Sequence, residues 1–165
     1  MVNKNLSQPE AQSLSQEPPK PPFPKVFYRV LNPLMAALLR SPLHGWLSHS
    51  MLLLSFHGRK SGKGYTLPLG YVQQHDRIFV LTHSPWWKNL RGGAPVLMRL
   101  QGRNVGGTAR IVEESALIGD VMQAFVKAHG PKMAQRIGLV DEQGNVVESP
   151  PPGTTFIAID KEQYS

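Results

Sequence analysis

Cysteine is absent from the 165 residues, which removes disulfide bridges, Cys-ligated zinc, iron–sulfur clusters and thiol nucleophiles from consideration. No run of about 18 apolar residues occurs, so no spanning helix is expected. Residues 1–17 lack the apolar stretch of a secretory leader, and a cytoplasmic location is the default. Catalytic signatures are missing as well. There is no HExxH, and His44 and His49 are five apart, off a common helical face, so no metal is expected. Neither a G-x-S-x-G elbow nor a carboxylate pair appears in the middle of the chain, which leaves hydrolytic chemistry without support.

Acids are the scarcest feature between residues 18 and 112, where thirteen Lys and Arg face Asp76 alone. Residues 1–17 carry −1, the middle +12 and residues 113–165 −4, which together return the net +7. Charge this one-sided points to an anionic partner: a phosphorylated or polycarboxylate ligand, an acidic membrane surface, or nucleic acid. No recognisable nucleic-acid-binding motif is present, and none is expected to bind.

The length fits one domain. Residues 1–24, with Pro18, Pro19, Pro21, Pro22 and Pro24 and few apolar residues, cannot offset their ordering entropy and read as a disordered tail. A domain over 25–165 follows. Phe27, Val30, Leu31, Leu34, Met35 and Leu38 recur at helical spacing, and Asn32-Pro33 and Ser41-Pro42 are cap-plus-proline starts, predicting two short amphipathic helices. Their basic character leaves open a peripheral membrane contact through 26–49.

The period then changes. Strands are expected at 51–56, 65–72, 77–82, 96–100, 105–112 and 156–159, with a hairpin around Gln101-Gly102-Arg103-Asn104 and a helix at 115–129 stopped by Gly130-Pro131. Short, closely spaced strands with helices before and after predict an α+β, mainly β fold. The expected form is a small barrel or strongly curved sheet of about six mostly antiparallel strands, with helices over its openings.

Two segments carry chemistry. In His57-Gly58-Arg59-Lys60-Ser61-Gly62-Lys63-Gly64, glycines let backbone amides converge while Arg59, Lys60, Lys63 and the Ser61 hydroxyl supply donors. It is not a Walker loop, because Leu54 and Arg59 stand where that motif needs glycine. The residues fit an anion cradle or a flexible basic hairpin loop equally well. In the second segment, Ser84-Pro85 starts a helix that Gly92-Gly93 ends, so Trp86 and Trp87 follow a strand directly. Neighbouring helix positions diverge by about 100°, so both indoles cannot easily be buried, and one can border a pocket. Asn89, on the face of Trp86, can hold a loop or read a ligand edge. Few acid–base groups beside a cradle and aromatic walls suggest reactivity borrowed from a cofactor.

The G-R-K-S-G loop followed by a Pro-Leu strand, together with W-x-x-N-L, resembles the deazaflavin-dependent nitroreductase family over residues 51–112. The resemblance implies the split β-barrel shared with flavin-binding oxidases, an oxidoreductase activity, and coenzyme F420 as cofactor, with FMN as the nearest alternative. It places the cofactor's anionic phosphodiester and glutamate tail at Arg59, Lys60, Ser61, Gly62 and Lys63, and the deazaflavin ring near Thr82, Trp86, Trp87 and Asn89. Hydride transfer to a quinone, nitro or enone acceptor is the implied reaction, and a homodimer the implied assembly. The residues alone also admit a non-catalytic flavin- or deazaflavin-type ligand-binding protein of the same fold or, with less support, a basic nucleic-acid-binding module. No tyrosine-bearing stretch lies between 141 and 152; the tyrosines are Tyr28, Tyr65, Tyr71 and Tyr164.

Overall fold

Alternation along each strand decides the architecture. In β1 (Met51–His57) and β3 (Arg77–Thr82), Leu52, Leu54, Phe56, Ile78 and Val80 point to one side. Tyr71 of β2 (Gly64–Gln74), Val96, Met98 and Leu100 of β4 (Ala94–Leu100), Ala109 of β5 (Arg103–Ile111), and Ile157 and Ile159 of β6 (Thr155–Lys161) join them in one buried cluster. Six strands can share a single interior only by curling into a tube. The computed structural model, which describes residues 49–162, has this form: a closed, fully antiparallel barrel in the order β1-β2-β3-β6-β5-β4.

The fold expected from the sequence is therefore present, with longer strands than their apolar runs alone marked. Hairpins join β1 to β2, β2 to β3 and β4 to β5, the last across a two-residue Gln101-Gly102 turn that pairs Leu100 with Arg103. Closure depends on the non-sequential pairs β1 with β4, β3 with β6 and β5 with β6. The last seam demands glycine at 107, where a Cβ would lie 2.7 Å from the Asp160 carbonyl oxygen.

The helix expected at 115–129 is α1 (Ser115–His129), followed by a short α2 (Pro131–Arg136). The longer helix, α1, packs against strands, as its apolar period implies, and does so on a wall of the barrel. Val121, Met122 and Phe125 of α1 pack on Val72, Phe79, Phe156 and Ala158, the outward residues of β2, β3 and β6, so α1 covers a wall rather than an opening. This explains why β3 reads as a nearly unbroken apolar run: both of its faces are buried. Each fully buried side chain in this second cluster contributes roughly 1.5–3 kcal/mol. One barrel mouth is closed instead by a 3-10 helix (Pro85–Leu90), whose Leu90, Trp86 and Trp87 pack on the interior cluster.

The proline-rich tail, the amphipathic segments around Phe27 to Leu38, Tyr28 and Tyr164 lie outside the described residues. Among the described residues, no helix is long and apolar enough to cross a membrane.

Candidate functional site

The end of β1, the start of β2, the end of β3 and the start of β4 meet at that mouth. The topology therefore brings the basic loop 58–63 and the tryptophan helix together, although about thirty residues separate them in sequence. The loop folds back on itself: the Gly58 N–H donates to the Lys63 carbonyl at 2.8 Å, and the Gly62 N–H to the Gly58 carbonyl at 2.8 Å. The Lys63 N–H reaches the Ser61 Oγ at 3.3 Å. Gly62 takes φ +66, a left-handed backbone conformation that lets the chain reverse. Gly58 sits in a tight space: a Cβ there would lie 2.6 Å from Ser61 Oγ and 3.1 Å from the Tyr65 ring, so the hydroxyl would have to move.

Asn89 joins the two segments. Its Oδ1 accepts the Arg59 N–H at 3.1 Å, while its Nδ2 donates to the Trp86 carbonyl at 2.9 Å. Of the two roles open to Asn89 from sequence, this geometry uses the side chain to hold the loop. Thr82, buried at the end of β3, accepts the Ser84 N–H on its Oγ1 at 3.0 Å and so sets the entry to the 3-10 helix. His83 Nε2 and Thr154 Oγ1 share a 3.0 Å hydrogen bond that ties this entry to the approach to β6.

Trp86 and Trp87 are each half-buried, in keeping with their divergence on the helix. Trp86 stacks on Phe56 at 5.3 Å between ring centroids, and Phe56 stacks on Tyr65 at 5.6 Å. The Arg91 guanidinium lies 4.8 Å from the centre of a Trp87 ring, a cation–π contact. A row of flat side chains thus runs from the basic loop to the 3-10 helix. Phe56 was not singled out from sequence, and Gly58, Tyr65 and Arg91 were not assigned to the site. Phe56 and Tyr65 were within reach, because a 56–65 pairing follows once the loop is read as a hairpin.

Every residue assigned to the site from sequence, Arg59, Lys60, Ser61, Gly62, Lys63, Thr82, Trp86, Trp87 and Asn89, stands at this one mouth. The charges there are uncompensated. Among the described residues the ion pair is Arg77 with Asp160, on strands at the far end of the barrel, and the side chains of Arg59, Lys60 and Lys63 meet no carboxylate. The Lys60 and Ser61 amides are likewise not engaged within the described residues. Three exposed cations, a hydroxyl and two available amides around a glycine-shaped cradle form a donor set suited to a phosphate or carboxylate-rich group. Two depressions elsewhere, of ≈ 370 Å³ on the outer face of β1, β2, β4 and β5 and ≈ 490 Å³ beside α1, do not involve these residues.

A loop of unpaired cations beside half-buried aromatic side chains has the chemistry to hold a flat molecule with an acidic tail. Residues 41–133 match the family model of the F420H(2)-dependent quinone reductases, and the chain belongs to that family. It is accordingly an oxidoreductase enzyme with F420 as its cofactor. Solved structures with related coordinates include the heme storage protein from Vibrio cholerae (16% identity, 74% of this chain and 88% of that one, TM-score 0.48). Others are an F420-H2 dependent reductase (18%, 67% and 93%, TM-score 0.47) and general stress protein 26 from Bacillus anthracis (18%, 72% and 84%, TM-score 0.44). No curated protein matches the chain.

F420 carries a phosphodiester and a glutamate tail. The exposed Arg59, Lys60 and Lys63 side chains and the unengaged Lys60 and Ser61 amides of loop 58–63 fit such a group.

Proposed function

We propose that the barrel mouth binds reduced F420, with Arg59, Lys60, Ser61, Gly62 and Lys63 holding its anionic tail and Thr82, Trp86, Trp87 and Asn89 bordering its ring, for reduction of a quinone, nitro compound or enone. The observation that carries the reading is the Asn89 bridge, which puts an uncompensated cationic loop beside half-buried indoles in a chain of this family.

When bound, the deazaflavin supplies the hydride. The chain's own contribution is position and exclusion. The cations and free amides fix the tail, and the price in desolvation is low because these groups are already exposed and unpaired. Asn89 and Thr82 hold the loop and the helix entry in register, so a molecule bound to one is oriented on the other. Tyr65 and Trp86, each packed on the buried Phe56 between them, give an apolar border that keeps water from one side of a planar guest. With this reading go a cytoplasmic location, pairing into a homodimer, and one domain over 25–165 behind a tail.

Titration with F420 while following tryptophan fluorescence tests it. Saturable quenching is expected in the wild type and loss of quenching in Arg59→Ala/Lys60→Ala, with reduced F420 consumed on addition of menadione. Quenching that survives the double substitution would remove the loop from the site. FMN binding in place of F420 would change the cofactor.

A further inference from the structure

We propose a second ligand site, for a small organic carboxylate, on the outer face of the barrel wall formed by β1, β2, β4 and β5. Strand register builds it. Thr66 pairs with Ser55 and Ser55 with Leu97 in one cross-strand row, while Leu53 pairs with Arg99 and Arg99 with Asn104 in the next. These six residues line a depression of ≈ 370 Å³, enough for a small ligand.

The chemistry of the lining selects the guest. The Arg99 Nε–H is shielded from solvent and has no hydrogen-bond partner, an exception among native buried donors that calls for an acceptor. Its Nη1 reaches the Asn104 Oδ1 only at 3.4 Å, and no described acid forms an ion pair with Arg99. Ser55 and Thr66 share one hydrogen bond at 2.9 Å, which uses one of their two hydroxyl protons and leaves the other available. A guanidinium with a free N–H, an amide and a spare hydroxyl together match the two oxygens of a carboxylate. Leu53 and the exposed Leu97 add an apolar border, which favours a carboxylate on a hydrocarbon body over a bare inorganic anion. The site is independent of the mouth: it uses the opposite face of β1 from Phe56 and none of the residues of loop 58–63.

Benzoate is the probe. Full-length protein is titrated with it while the Arg99 Nε–H and the Leu53 and Leu97 methyl signals are followed by NMR. Saturable shifts at all three are expected, with at least about tenfold weaker binding in Arg99→Met and an intermediate loss in Arg99→Lys, which keeps the charge but not the fork. Arg59→Ala/Lys60→Ala should leave the titration unchanged. Shifts confined to residues 58–63 and lost in that double variant, a response that never saturates, or stronger binding of inorganic phosphate than of benzoate would each overturn the proposal. Should Arg99→Met fail to fold, the wild-type titration decides: the Arg99 Nε–H signal moves to a plateau with benzoate, or the site does not exist.

Discussion

Arg77 and Arg59 stand at opposite ends of one barrel and meet opposite fates. Arg77 Nε donates to Asp160 Oδ1 at 2.7 Å across the β3–β6 seam, next to the wall where α1 covers Phe79 and Phe156. Arg59, with Lys60 and Lys63, projects from a loop that contains no acid and is held by one asparagine. At the covered wall each group is satisfied within the chain; at the mouth the chain leaves donors over. Unsatisfied charge is costly where water is excluded, so it persists at the surface, where a ligand can use it. The wall keeps its charges paired, and the mouth keeps three cations exposed and unpaired.

Substitutions can break this contrast. The largest effect belongs to the wall: Phe79→Ala, at a fully buried contact with α1, should cost about 3–5 kcal/mol in chemical denaturation. At the mouth, Arg59→Ala/Lys60→Ala should weaken F420 binding about hundredfold, from two screened charge-assisted contacts of about 1.4 kcal/mol each, with an unchanged melting temperature. Isothermal calorimetry beside a thermal melt separates the two. Gly58→Ala displaces the Ser61 hydroxyl and presses on Tyr65, so binding should fall about tenfold while the barrel stays folded. Equal loss of stability and binding in either mouth variant would erase the distinction between the regions.

The smallest effect is a pH dependence. The Asn145 backbone N–H, 2.8 Å from Asp141 Oδ1, holds that carboxyl below the usual aspartate range. A lowered folded-state pKa stabilises above the unfolded value and is lost as pH falls through the folded one. Asp141→Asn should therefore trail the wild type slightly in urea at neutral pH and match it in strong acid. A difference that persists in acid would assign the effect to packing.

Local features of the fold were plain in the sequence. The span of β3 and the span of α1 follow from apolar runs and helical period bounded by turn residues, and both ends of each agree with the structure. Closure was reachable only as a class of fold, since the β1–β4 and β3–β6 pairings join strands distant in sequence and leave no local mark. That α1 packs against strands follows from its apolar period; which strands it covers does not, although the unbroken Ile78-Phe79-Val80-Leu81 run of β3 was a clue. At six residues, α2 is too short to display a period.

The mouth shows the same division. Arg59 to Lys63 could be nominated because glycines and cations cluster within eight residues. The bond from Arg59 to Asn89 spans thirty positions and joins a backbone amide to a side chain, so no spacing rule announces it. Arg99 went unnoticed because a lone arginine in a strand looks like any other surface cation until its neighbours across the sheet are known.

Since one amide side chain is fastened to both parts of the mouth, the interval between cations and indoles is a fixed gauge. A molecule whose acidic end and flat end are spaced to that gauge engages both at once, while a shorter one must choose. On the function proposed above, length as much as charge would then select the redox compounds the mouth admits.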